Sequence, residues 1–178
     1  ATLYVTGKNL YMQDLTLENG LDYYSSGSAG RAVCLQDKGD GTICKNVKML
    51  SYQDTYYSNN NNGKYYWEDS EIHGTVDFLC GGGDVYYNRC KFVVEKRQAD
   101  GKGGCTIAAP YTDGSKWGYV MNECVVDNYA ENFNYGRAWG GTPRLAYLNT
   151  TLLQPEKIIK DRFTVGGMNV PADKFVEY

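Results

Sequence analysis

The sequence predicts an all-β chain wound as a right-handed parallel β-helix. Three observations carry that prediction. A short polar–apolar pattern recurs along most of the chain. The spacing between its copies has a floor near 20 residues with an uneven excess. The composition favours strands and turns, with 17 tyrosines, 21 glycines and only 4 prolines in 178 residues.

The recurring unit is a polar residue, a small or apolar one, any residue, then an apolar one. It reads Asp14-Leu15-Thr16-Leu17, Asn46-Val47-Lys48-Met49, Asp69-Ser70-Glu71-Ile72, Arg89-Cys90-Lys91-Phe92, Glu123-Cys124-Val125-Val126 and Asn149-Thr150-Thr151-Leu152. Each copy follows a strand-like run: LYMQ, TICK, YYWE, VYYN, YVMN and AYL. Successive copies lie 32, 23, 20, 34 and 26 residues apart. A coil with a fixed wall and loops of variable length produces such spacing. Alternation with period two makes the units strands, with the second and fourth residues inward and the third in solvent. Stacked coils then build one inward column from Leu15, Val47, Ser70, Cys90, Cys124 and Thr150. A second column holds Leu17, Met49, Ile72, Phe92, Val126 and Leu152. The alternative architecture is an antiparallel sandwich with irregular loops.

The six cysteines, at 34, 44, 80, 90, 105 and 124, contain no C-x-x-C pair, and His73 is the only histidine. That argues against a structural zinc site. With two of them in the inward column, the cysteines read as free and buried; Cys34 and Cys44 could pair across a loop, but nothing in the sequence requires it. The formal net charge of -3 excludes a broad electrostatic grip on nucleic acid. No apolar run approaches a membrane span, and the first residues are not a signal peptide. Solenoids need polar caps. Here the first coil starts almost at Ala1, and the closing KFVEY reads as the start of another coil. Residues 1–178 are therefore expected to be a single β-helix domain, incomplete at both ends, within a longer protein.

Five residues beyond Met49 stands Asp54, and five beyond Ile72 stands Asp77. These are equivalent places in consecutive coils, so the two side chains should be neighbours across a strand spacing of about 4.8 Å. Two carboxylates that close do not both ionise cheaply; one keeps a proton near neutral pH while the other stays charged. That is a nucleophile or base beside an acid. The bland reading is a pair of surface aspartates in polar turns. Val76, Phe78 and Leu79 argue against it for Asp77, whereas Asp54, between Gln53 and Thr55, is less protected. Gly81, Gly82 and Gly83 then serve unusual backbone angles, close approach of a polymer, or a tight turn.

The segments YQDTYY, GTVDFLCGGG and YGRAW, in that order, resemble the signature segments of the pectin methylesterases, carbohydrate esterase family 8. The likeness runs from LYMQDLTLENG to about LLQP. It implies a right-handed parallel β-helix, a catalytic domain usually longer than this chain, and hydrolysis of the C6 methyl esters of galacturonate units in pectin, releasing methanol without cofactor or metal. By position, Asp77 matches the nucleophile. Asp54 matches the acid that protonates departing methanol and then the base that activates water. Gln53 matches the donor to the tetrahedral oxyanion, and Arg137 the guanidinium that holds the nucleophile and helps place substrate. Trp139 matches a ring that stacks on a sugar, and Tyr57 is expected near substrate. Where the family has a glutamine before its A-V/L-x-L strand, this chain has Arg31, which could donate to the oxyanion, bind a neighbouring uronate carboxylate or mark a shifted preference. Ala138 replaces a common proline, and LCG replaces IFG, with Cys80 expected inward. A pectin or homogalacturonan substrate further implies export, to the exterior or the periplasm, of a monomer with no nucleic-acid or membrane partner.

Of the remaining residues, Tyr56 is expected to pack, and Tyr65, Tyr66 and Trp67 to belong to a coil. His73 reads as structural, the loop 58–64 as bordering the cleft, and the sequon at Asn149 as lying within a coil. Two other functions compete. A β-helix glycoside hydrolase acting on polygalacturonate needs, if inverting, carboxyls roughly 6.5–9.5 Å apart, wider than stacked neighbours. A non-catalytic polysaccharide-binding β-helix would not need the complete set of Gln53, Asp54, Asp77 and Arg137.

Overall fold

Polar residues that tolerate left-handed backbone decide how this chain turns. Asp14, Asn46, Asp69, Arg89, Glu123 and Asn149 all have φ between 48° and 54°. They are the first residues of the six repeat copies. Asp69, Arg89, Glu123 and Asn149 each stand between one strand and the next, while Asp14 and Asn46 bend a continuous strand; aspartate and asparagine adopt this conformation more readily than other non-glycine residues. Neighbouring corners are joined through their side chains: Asn46 Nδ2 donates to Asp14 Oδ1 at 2.7 Å, and Arg89 Nε to Asp69 Oδ1 at 2.8 Å. The polar member of the repeat is thus a corner, and in the last four copies the next strand starts two residues after it.

The computed structural model describes residues 1–27, 30–111, 116–140 and 143–154, with the backbone of two further strands. The first coil contains β1 (Leu3–Val5) and β2 (Tyr11–Glu18), the second β3 (Leu35–Asp37) and β4 (Thr42–Leu50). The third contains β5 (Tyr56–Ser58), β6 (Lys64–Glu68) and β7 (Glu71–Gly74), the fourth β8 (Val76–Gly81), β9 (Asp84–Asn88) and β10 (Lys91–Val94). Then come β11 (Gly104–Pro110), β12 (Tyr119–Asn122) and β13 (Val125–Asn128), followed by β14 (Asn132–Arg137), β15 (Leu145–Leu148) and β16 (Thr151–Leu152). Two more strands, β17 (Phe163–Thr164) and β18 (Phe175–Glu177), continue the climb. β18, within the closing KFVEY, pairs in parallel with β15.

Every strand pair among the described residues is parallel. One face is a seven-stranded sheet in the order β1-β3-β5-β8-β11-β14-β17. The other two faces hydrogen-bond as one eleven-stranded sheet, because the long β2 and β4 run through their corners from one face to the next. This is a parallel β-helix, as the repeat predicts.

The predicted columns are stacked in register: Leu17 opposite Met49, Met49 opposite Ile72, Ile72 opposite Phe92, Phe92 opposite Val126, and Val126 opposite Leu152. Met49, Ile72, Phe92 and Val126 are fully buried. In the other column Ser70 is also buried, and its hydroxyl is satisfied, accepting from the Val47 N–H at 3.0 Å and donating to the Glu68 carbonyl at 2.8 Å. Trp67, Tyr56, Tyr87 and Phe133 fill the remaining interior. All six cysteines are buried and unpaired. Tyr65 and Trp67 point into the core, while Tyr66 lies outside and stacks on Tyr86 with ring centroids 5.9 Å apart.

Candidate active site

The outer surface of the seven-stranded sheet carries the aspartate pair. β5 and β8 align with Tyr56 opposite Leu79 and Tyr57 opposite Cys80. Asp54 and Asp77, each two residues earlier, are therefore level with one another, and the Asp54 N–H donates to the Val76 carbonyl at 3.1 Å. Both have left-handed backbone, with φ of 58° and 52°. At Asp77 this forms a bulge: Thr106 of β11 faces Val76, yet Ala108 faces Leu79, so two residues of β8 oppose one of β11. The extra residue turns the Asp77 carboxylate outward while Phe78 and Leu79 are both fully buried. An aspartate in an apolar strand is tolerated because the bulge takes it out of the core.

The bulge also corrects one expectation. Cys80 does not point into the core. The shift of parity puts Leu79 inward and places Cys80 in the outward row, beside Tyr57, where it lines the cleft floor.

Arg137, at the end of β14, reaches back across β11 to Asp77. Cys80 faces Ala109 on the intervening strand, and that small side chain leaves the path open. The guanidinium grips the carboxylate with both prongs: Nε donates to Oδ1 at 2.8 Å, and Nη2 donates to Oδ2. This forked pair is strong and geometrically specific. Only 10 % of the Asp77 side chain is exposed, so solvent screens the pair weakly.

Asp54 has no such clamp. Burial, reinforced by the neighbouring Asp77 charge, pushes its carboxyl up to about 6, against the pull of Arg31 and Arg137. Arg31 Nε lies 3.8 Å from Asp54 Oδ2, but the Arg31 side chain is 79 % exposed and its influence is weak. Two identical side chains, one strand apart, are thus given different tasks: one is fixed by a guanidinium, the other is poised to exchange a proton near neutral pH.

A cleft of about 380 Å³ lies over the pair and brings together all seven residues singled out from sequence: Arg31, Gln53, Asp54, Tyr57, Asp77, Arg137 and Trp139. Trp139 is 43 % exposed, and its ring lies 5.6 Å from that of Tyr57. Tyr56 is buried, as expected, and the asparagine-rich loop borders the adjoining hollow. Gly81 and Gly83 have φ of 120° and 76°, and a Cβ on Gly81 would collide with the Ser58 carbonyl. The bare backbone is needed for packing on the preceding coil. His73 lies elsewhere, between Glu95 and Glu71, with its ring nitrogens 2.7 and 2.6 Å from their carboxylates.

Sequence reading missed Gln36 and Tyr111. Gln36 is in register with Tyr57 and reaches the same cleft. Tyr111 follows β11 and packs edge-on against Trp139 at 6.1 Å. Counting the outward row along each strand would have found the first; the second follows a strand that belongs to no repeat copy. Among the described residues, no cluster of three or more His, Cys, Asp or Glu side chains is disposed to hold a metal ion. No helix among them is long and apolar enough to cross a membrane.

Comparison with known proteins gives a consistent picture. A putative pectinesterase of Arabidopsis thaliana, "Putative pectinesterase 11", is 28 % identical over 146 residues, which is 82 % of this chain and 38 % of that protein. The chain thus spans well under half the length of that relative. Among solved structures, pectin methylesterase from carrot superposes with a TM-score of 0.80 at 20 % identity, covering 98 % of this chain and 56 % of that one. A pectin methylesterase in complex with a hexasaccharide superposes at 0.72 with 24 % identity, covering 97 % and 67 %. The family model described as Pectinesterase matches residues 1–167. The chain belongs to the pectinesterase family.

Proposed function

We propose that this protein is a carboxylic ester hydrolase that removes the C6 methyl groups of galacturonate units in pectin, with Asp77 as nucleophile and Asp54 as acid and then base. The observation that carries this reading is the asymmetry of the pair: an arginine-clamped carboxylate beside one pushed up to about 6, in one cleft.

The clamp keeps Asp77 charged and aimed. One of its oxygens attacks the ester carbonyl, and the side-chain amide of Gln53 donates to the oxyanion that develops. As the tetrahedral intermediate collapses, the C–O bond to methoxide breaks and Asp54 supplies the proton that makes methanol. An acyl-enzyme anhydride is left on Asp77. Asp54, now charged, takes a proton from water; the resulting hydroxide attacks, and the galacturonate carboxylate departs with Asp77 regenerated. A carboxyl near 6 suits both halves, since it holds a proton for the first and accepts one in the second. Trp139 and Tyr57 offer ring faces to the sugar. Arg31 offers a charge at the rim. A polysaccharide substrate of this kind calls for export of the protein, and all seven cleft residues come from one chain, as a monomer requires.

Neighbouring strands lie about 4.8 Å apart, which speaks against an inverting glycosidase and its wider carboxyl separation. The test is D77N in the full chain, with methylated pectin as substrate and methanol, reducing ends and unsaturated product all measured. Asparagine accepts the left-handed backbone, so the fold survives. Methanol release should drop by at least about a thousandfold, as for loss of a covalent nucleophile. Retained methanol release in D77N, or new reducing ends from the unaltered protein, refutes the assignment.

A further inference from the structure

His73, the one histidine of the chain, is held between two carboxylates that come from different strands. Its Nε2 lies 2.6 Å from Glu71 Oε1 on its own strand, β7, and its Nδ1 lies 2.7 Å from Glu95 Oε1, just past the end of β10. Only 16 % of the His73 side chain is exposed. Both ring nitrogens donate only while the ring carries its second proton. A neutral imidazole has one N–H and turns a lone pair toward the other carboxylate. Burial pushes the imidazole down, and the two carboxylates outweigh it, so the second proton is held.

The two carboxylates do not depend on His73 equally. Glu71 also pairs with Lys48 Nζ of β4 at 2.8 Å. Glu95 pairs with no other cation among the described residues. The groups around the ring supply none. Leu50 and Val93 flank it on the neighbouring coils, and Asp127, one coil beyond, is held by Lys91 at 2.9 Å. His73 and Glu95 share a hollow of about 170 Å³ with Glu18, Asn19 and Tyr52. Burial pushes Tyr52 above its usual value and Tyr24 to about 12. It does the same for Cys105, pushed up to about 12, whose Sγ lies 3.4 Å from the Glu95 carbonyl. All three stay neutral through pH 9. Loss of the His73 proton therefore leaves Glu95 beside Glu18 with no counter-charge. Glu95 begins the loop 95–103, the insertion between β10 and β11. The near end of that loop is tied by the Glu95 N–H to the Gly74 carbonyl at 2.8 Å and by the Tyr24 hydroxyl to the Lys96 carbonyl at 3.1 Å; the far end is tied by the Gly103 N–H to Glu131 Oε2 at 2.8 Å. Its middle, Arg97 to Asp100, walls a hollow that Gln53 also lines.

We infer that His73 is a proton-operated latch: with its second proton it grips Glu95 and holds the loop 95–103 closed against Tyr24, and without it the loop lifts away. The element that moves is the insertion, since the coil beneath it is fixed by parallel pairing on both sides of β10. Such local opening is set by the few ties at the base of a loop and is independent of global unfolding. The latch goes beyond the esterase reading and rests on it only for the effect on turnover. A lifted loop slackens the wall next to Gln53, so substrate is held less well on the alkaline side of the His73 titration.

The test compares the full chain with H73Q and E95Q at pH 6 and pH 9. Loop opening is read from hydrogen exchange of the amides of residues 96–102, corrected for the intrinsic pH dependence of exchange, and from tryptic cleavage after Lys96 and Lys102, scaled to an unstructured peptide. In the unaltered protein opening should rise about threefold to tenfold from pH 6 to pH 9, the order of one charge-assisted hydrogen bond at a partly exposed site. H73Q should be as open at pH 6 as its parent is at pH 9, and both variants should lose the pH dependence. The KM for methylated pectin should rise by a similar factor over this range in the parent and stay level in H73Q. Opening that is equal at the two pH values in the unaltered protein, or a pH dependence that survives in H73Q and E95Q, overturns the latch and leaves the esterase reading intact. Loop opening that follows the His73 proton, with no methanol from any of the three proteins, refutes the esterase reading and supports the latch.

Discussion

Replacing Asp54 by asparagine should make this protein more stable and inactive together. In the folded chain the Asp54 carboxyl is pushed from its ordinary 3.8 up to about 6 by burial and by Asp77. The folded state therefore holds this proton more tightly than the unfolded chain does. Stability falls as pH rises through the window from about 4 to 6, and above it the charged Asp54 remains a fixed burden. A shift of about two units corresponds to about 3 kcal/mol, an upper figure because the side chain can relax toward Arg31 and water. Asparagine keeps the shape, accepts φ of 58° and carries no charge. Chemical denaturation of the full chain and of D54N at several pH values measures the effect. D54N should be more stable by about 1 to 3 kcal/mol at pH 8, with the gap closing toward pH 3, where the parent's Asp54 carboxyl is protonated in the folded and the unfolded chain alike. Methanol release should be lost at every pH. A D54N protein no more stable than its parent at pH 8, or a gap that does not change with pH, would falsify the assignment of Asp54 as the raised member of the pair.

Two other substitutions probe charges near and far from the cleft. Arg31 pulls the Asp54 carboxyl down, so R31Q should move the high-pH limb of kcat/KM for methanol release upward, by less than about half a unit because the pair is exposed. High salt should mimic the change in the parent; a downward move contradicts the pairing. Burial pushes the His73 imidazole down, but its hydrogen bonds to Glu95 and Glu71 outweigh this and raise it above its usual 6.5. A raised folded value means the stabilisation is complete below about 6.5 and is lost as pH climbs through that raised value. H73Q should cost roughly 1 kcal/mol at pH 6 and nothing well above the raised value, read from thermal or urea unfolding. A cost that persists at high pH assigns the loss to packing instead.

The parts of this molecule legible in the sequence are those set by period. The inward columns follow from alternation alone, and the alignment of Asp54 with Asp77 follows from counting along equivalent coils. The corners were visible but not understood. A polar residue heads every copy because six successive turns need left-handed backbone, and neither alternation nor burial reveals that requirement. The bulge at Asp77 was hidden for a related reason. One extra residue reverses the parity of everything after it, so Cys80, expected inward, stands in the outward row. Tyr111 had no signal of any kind, since it follows a strand outside the repeat, where spacing carries no information about what it faces.

The same backbone device thus does two jobs. At the corners, a left-handed residue lets a strand change face without breaking the stack. At Asp77 it adds a residue to the strand, so a charged side chain leaves the core while Phe78 and Leu79 stay in it. This couples the chemistry to the backbone, because residue types that resist positive φ cost roughly 1 kcal/mol or more there, whatever their side chains do. Alanine at either position would lose the carboxyl and strain the strand at once, and its effects on activity and stability could not be separated. Asparagine removes only the charge. A D77A protein that is clearly less stable than D77N, with both inactive, is the outcome this coupling requires; equal stability would mean that the bulge is set by the fold of the neighbouring strands and not by the aspartate that occupies it.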